Sequence, residues 1–173
     1  DYPAGNHVRA DQRVAYDQSP RFGGARHAVW ATCTATAYSQ PIRTENAVHT
    51  VEHGAVGPTY DPQRLTGEQV SGLINLVDGQ PDTVLSLYPG LDTVVSVRSW
   101  GHQLKLDDPT DERLPRFITA LRQNPNTYPE PGASCSALYF DTANPPAFDP
   151  CPPEPDAVPV TPATATRAQA DRR

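Results

Sequence analysis

Proline placement constrains this chain more than any other feature. Of its 20 prolines, nine lie in residues 1–124 and eleven in residues 125–173. Proline lacks an amide proton and clashes with the preceding helical turn, so helix interiors and central strands exclude it. Regular structure is therefore expected before residue 125 and irregular chain after it. The division that follows is one domain over residues 1–140 and a Pro-rich tail over 141–173.

Within the domain, residues 67–78 carry Val70, Leu73, Ile74 and Val77 at helix spacing, which predicts an amphipathic helix. Leu114, Phe117, Ile118 and Leu121 repeat the pattern over residues 110–122, and Pro115 falls in the first turns, where it is tolerated. Residues 45–53 are too short for periodicity to decide. Thr44 suits a helix start and Gly54 the position past a helix end, so a short helix is expected there. Strands are expected at 12–16, 55–60, 83–88 and 93–100. The last two flank the turn signal Pro89-Gly90 and are expected to pair antiparallel. The fold class is α+β: a small sheet of three to five mostly antiparallel strands, two or three helices packed on it, and an irregular N-terminal region.

Composition excludes several functions. The net charge is −6 and no Lys/Arg cluster breaks the acidic balance, which argues against nucleic acid or anionic lipid as the main partner. No apolar run approaches the ~18 residues of a membrane-spanning helix. The sequence begins at Asp1 and holds no Met, as expected of a chain trimmed of a leader or anchor. Cys33, Cys135 and Cys151 form no C-x-x-C pair, so a zinc ribbon or thioredoxin site is out. Three cysteines allow at most one intrachain bridge. An exported protein would carry a bridge and one thiol, a cytosolic one three buried thiols.

The five histidines are His7, His27, His49, His53 and His102. His49 and His53 are four apart. On a strand that spacing covers about 13 Å, too far to share an ion. On a helix it puts both rings on one face, about 5–6 Å apart, within reach of one metal. The string His49-Thr50-Val51-Glu52-His53 also matches H-x-x-E-H, in which a Glu beside two His ligands serves as base. Hydrogen-bonded core histidines are the other reading of the pair. Glu52 beside that face is either a base acting through water or a solvated residue. Tyr16, Tyr38 and Tyr60 are candidates for a pocket wall or for core packing.

Several separated motifs resemble one family. The run Val48-His49-Thr50-Val51-Glu52-His53-Gly54, followed by Tyr60-Asp61-Pro62, is similar to the Val-His-x-Leu-Glu-His-Gly signature of an actinobacterial family, domain of unknown function 3105. The resemblance spans roughly residues 5–135. It takes in His7, the run from Ser19 to His27, Leu87-Tyr88-Pro89, Ser99-Trp100-Gly101 and the run from Pro129 to Cys135. It departs where the family has Cys-Gly-x-Tyr and this chain reads from Cys33 to Tyr38, so a pocket built from that loop is altered. The resemblance implies an exported or anchored protein and puts His7, His27, His49 and His53 on family positions. It also puts Cys33 and Cys135 on family cysteines, implying that these two are bridged, with Cys151 outside the bond.

The ligand set that follows is His27, His49 and His53, with His7 as fourth ligand or supporting donor, and His27 delivered by the Gly23-Gly24 loop. All-imidazole ligation outside the cytoplasm, with no Met, points to copper, with zinc as the alternative. Three readings follow. The first is a copper-dependent oxidoreductase acting on a small organic substrate, with Glu52 and Tyr38 at its site. The second is a non-catalytic copper carrier serving a metal-handling partner. The third is a zinc hydrolase with Glu52 as base, for which Glu130 is the tempting acidic ligand.

Overall fold

The computed structural model describes residues 2–160. Its centre is a five-stranded sheet built from β4 (Thr34–Ala37), β5 (Gly57–Tyr60), β6 (Thr83–Leu87), β7 (Val95–Ser99) and β8 (His102–Leu106), in the order β4-β6-β5-β7-β8. Three helices pack on it: α1 (Thr44–Glu52), α2 (Gly67–Val77) and α3 (Arg113–Leu121). The α+β class expected from the sequence is the one observed.

Alternation along the strands sorts the side chains into two layers. Leu85, Val95 and Val97 meet Leu73 and Val77 of α2 and Leu114 and Ile118 of α3. Val84, one residue from Leu85, points the other way and packs with Ala47 of α1. The sheet is therefore covered on both faces, by α2 and α3 on one and by α1 with the N-terminal segment on the other.

Thr66 caps α2, accepting from the Gln69 amide while the Gln69 side chain answers the Thr66 amide. This closed capping box satisfies two orphan donors. At α1 the cap falls on Arg43, not Thr44, and no side chain bonds the first turn. Residues 45–52 of α1 are all buried, so the helix has no solvent-exposed face and its polar residues do not mark one.

The expected pairing of residues 83–88 with 93–100 is corrected. β5 lies between them, parallel to β6 and antiparallel to β7. All four residues of β5 are buried, and α2 is the crossover that a parallel β5/β6 neighbour requires. The antiparallel partner of β7 is β8, joined by a tight turn at Trp100-Gly101 with Gly101 at φ 72°.

Four short strands complete the N-terminal region. β1 (His7–Val8) pairs with β3 (Arg26–His27), and β2 (Val14–Ala15) pairs with β9 (Val158–Pro159) of the tail. Arg13 fastens the tail further, reaching the Cys151 carbonyl at 2.7 Å and the Asp149 carboxylate at 2.9 Å. The tail is thus docked as far as residue 160. The rest of the expected tail, 161–173, lies outside the described residues.

Cys33 and Cys135 form the disulfide, and Cys151 is free and exposed. The Gly23-Gly24 pair serves packing: the Tyr2 ring lies where a Gly23 Cβ would stand, and Val160 lies against Gly24, which has φ 99°.

Candidate metal centre

Helix α1 sets His49 and His53 one turn apart, with ring centroids 4.6 Å from each other. The helix stops immediately afterwards. His53 is the C-terminal cap, and Gly54 follows at φ 84° with the Tyr128 ring where a Cβ would be, 2.6 Å away. Trp30 covers both imidazoles edge-on, 5.4 Å from His49 and 4.6 Å from His53.

The ring nitrogens have defined roles. His49 Nδ1 lies 2.7 Å from the His27 carbonyl, and His53 Nδ1 lies 2.8 Å from the Ser134 carbonyl. A carbonyl only accepts, so both Nδ1 atoms carry protons. Burial, and then the charge of His53, push the His49 pKa down to about 3. His49 is therefore neutral near pH 7, and its Nε2 is a bare lone pair. That lone pair faces Glu52 Oε2 at 3.6 Å. His53 Nε2 faces Glu130 Oε2 at 3.5 Å. Both separations exceed a normal N–H···O bond.

Glu52 is fully buried. Its Oε1 accepts from the Gly5 amide at 3.1 Å and is ion-paired with Arg26, itself fully buried. Arg26 donates to the Gly24 carbonyl at 3.1 Å and lies over the Trp100 ring at 5.3 Å. Glu52 Oε2 has no hydrogen-bond partner among the described residues. A buried carboxylate oxygen left without a donor is costly, and here it faces an imidazole lone pair.

His7, exposed on β1, brings its ring 5.1 Å from that of His49. Burial, followed by the Arg26 charge, lowers its pKa. Two groups of potential ligand atoms result, each within 4.8 Å: His7, His49 and Glu52, and His49, His53 and Glu130. His49 belongs to both. With Nδ1 committed to a carbonyl, it has one lone pair to give, so the two groups describe one centre and not two.

Two sequence-predicted residues, His27 and Tyr38, stand apart from these groups, as does His102, which the sequence left outside the ligand set. The His27 ring turns to the start of α1, where its Nδ1 accepts from the Val29 amide at 3.0 Å and faces the Asn46 side-chain amide at 3.3 Å. Only its backbone carbonyl reaches His49. Tyr38 donates to the Thr32 carbonyl at 2.9 Å within the core beside the disulfide, and burial raises its pKa. His102 donates to the Trp100 carbonyl at 2.7 Å on the β7/β8 turn. Tyr16 and Tyr60 likewise sit in core clusters. Glu52 is present at the centre, but buried and ion-paired and not solvated. Sequence reasoning missed Arg26 and Trp30; an Arg next to a motif histidine and a lone Trp carry no spacing signal.

Comparison with known proteins gives one match. Residues 7–137 match the family described as "Protein of unknown function (DUF3105)". The matched span contains His7, His49, Glu52, His53 and Glu130. No curated protein matches, and no solved structure matches.

Proposed function

We propose that this chain, which belongs to the DUF3105 family, is an extracytoplasmic metal-binding protein holding one divalent ion between His49 and His53. His7, Glu130 and Glu52 are its further donors. The observation that carries the reading is the paired orientation of the two imidazoles. Each gives Nδ1–H to a backbone carbonyl and turns Nε2 toward a carboxylate oxygen. Backbone carbonyls behind a histidine fix its tautomer and ring orientation for metal binding.

Mixed imidazole and carboxylate donors suit Cu(II) and Zn(II), and Cu(II) binds more tightly by the Irving–Williams order. Copper is thus the proposed cargo. Non-catalytic binding is favoured because donors from α1, β1 and the loop carrying Glu130 converge, the arrangement of a holding site. The oxidoreductase reading has one observation in its favour: His7 is exposed and Glu130 half-exposed, leaving a side from which a small organic substrate would approach. The hydrolase reading loses its base, because the Glu52 carboxylate is buried against Arg26. The disulfide, and the absence of any helix among the described residues long and apolar enough to cross a membrane, are compatible with a place outside the cytoplasm.

Titration with Cu(II) and Zn(II), read by calorimetry and elemental analysis, tests the proposal. About one ion per chain is expected, with affinity lost in the His49→Ala/His53→Ala double variant and kept in His102→Ala. Full metal content in the double variant would refute it. Oxygen uptake with added reductant separates the two copper readings: the carrier shows none above free copper.

A further inference from the structure

A cavity of about 500 Å³ lies at the N-terminal end of α1, the end away from His53, between the N-terminal segment, the first turn of the helix and the docked tail. Its walls mix aromatic and proline surface, including Tyr16, Tyr88 and Pro150, with charged groups. Charge accounting there leaves a surplus. Arg13 is paired with Asp149 and Arg43 with Glu45. Asp11, also on the wall, is paired with Arg9. Arg21 lines the cavity, lies over the Tyr16 ring at 5.5 Å and pairs with no described carboxylate.

A second cation lies near by. Arg98 projects from the face of β7 opposite Val97 and is buried, and its Nε has no hydrogen-bond partner among the described residues. Tyr88, Tyr16 and Arg21 act on its charge, and no carboxylate among the described residues forms an ion pair with it. A buried cation without a counter-charge is expensive. In a chain of net charge −6, this corner holds two guanidiniums, and the carboxylates on the cavity wall are paired with other arginines. His27 adds a donor: its Nδ1 accepts, so the ring proton sits on Nε2, and the ring lines the same cavity.

We propose that this cavity binds a small organic carboxylate with an apolar or aromatic body, the carboxylate pairing with Arg21 beside the charge of Arg98, and the body lying against Tyr16, Tyr88 and Pro150. A guanidinium presents a planar fork that matches a carboxylate, and the aromatic and proline walls suit a flat hydrocarbon better than a bare inorganic anion. The inference is independent of the metal centre.

The test uses the whole chain with EDTA present, so that no ion carries the binding. The probe 4-hydroxybenzoate is titrated and followed by calorimetry and by protein NMR. Saturable binding is expected, with shifts at Arg21, Tyr16 and Tyr88. Arg21→Gln should weaken it about tenfold or more, as for loss of a charged hydrogen-bond partner, with the melting temperature checked alongside. The neutral analogue 4-hydroxybenzyl alcohol, measured on the unaltered protein, should bind at least about tenfold more weakly by the same reasoning. Absence of binding at millimolar probe, equal binding of the neutral analogue, or undiminished binding in folded Arg21→Gln would each overturn the proposal. Inorganic phosphate competing as well as the probe would overturn the assignment to an organic carboxylate.

Discussion

The two ends of helix α1 use histidine in opposite ways. Toward Trp30, His49 and His53 donate from Nδ1 to carbonyls and turn Nε2 toward carboxylates. Toward the tail, His27 accepts at Nδ1 from the Val29 amide and keeps its proton on Nε2. One arrangement offers lone pairs and the other a donor. The first suits a cation and the second an anion, and acidic groups follow the same split. Glu52 and Glu130 face the lone pairs, whereas Arg21 and Arg98 near the cavity go without carboxylates. What decides a histidine's chemistry here is the backbone group its Nδ1 meets, which the histidine's position in the sequence does not reveal.

The largest expected effect falls on the metal side. The disulfide closes a loop with a sequence separation of 102 residues. Replacing Cys33 and Cys135 with Ala should cost about 4–5 kcal/mol of unfolding free energy in the chain-entropy view, read by denaturant titration. Ser134, whose carbonyl orients His53, adjoins Cys135, so metal affinity should fall with it. Cys151→Ala should change neither.

Glu52→Gln comes next. It leaves the Arg26 guanidinium buried against a neutral amide, and breaking such a pair costs about 3–5 kcal/mol. The expected outcome is a lowered thermal midpoint. An unchanged midpoint would mean that the pair does not hold the metal side together.

Acid should distinguish the two ends as well. The folded pKa of His49 is held at about 3 against an ordinary value of 6.5. Between those values the unfolded chain takes up a proton that the native one refuses, so metal-free protein loses stability as pH falls through that window. The slope from this group is at most ~1.4 kcal/mol per pH unit. Stability measured across pH in His49→Gln should show a shallower slope than in the parent protein.

Much of the fold was legible, and the reasons are local. α2 and α3 are amphipathic, so spacing announced them, and Pro115 in the first turns of α3 agreed. α1 was legible only through its end signals, Thr44 and Gly54, because a helix buried all round carries no exposed stripe. Strand partners were not legible. Nothing local in Gly57–Tyr60 says that it will insert between β6 and β7. Of the candidate centre, His7, His49 and His53 were legible as a set. That His27 would contribute a carbonyl and not a ring was beyond the sequence, since it depends on the Val29 amide and Asn46 meeting the imidazole in space. The buried Arg26–Glu52 pair, 26 positions apart, was equally out of reach of any short-range pattern.

The smallest expected effect belongs to His27→Gln, which should cost about 1 kcal/mol, the worth of one net hydrogen bond, and should leave the metal affinity unchanged. A large loss of metal in that variant would erase the contrast between the two ends.

The most direct measurement is long-range nitrogen–proton NMR of the imidazoles, before and after one equivalent of Zn(II), which is diamagnetic. In the metal-free protein, His49 and His53 should show the Nδ1–H tautomer and His27 the Nε2–H tautomer. On adding zinc, the Nε2 signals of His49 and His53 should shift together and saturate at one ion, with His27 unmoved. Protonated Nε2 on His49 in the free protein, or zinc shifts on His27 in place of His53, would contradict the account.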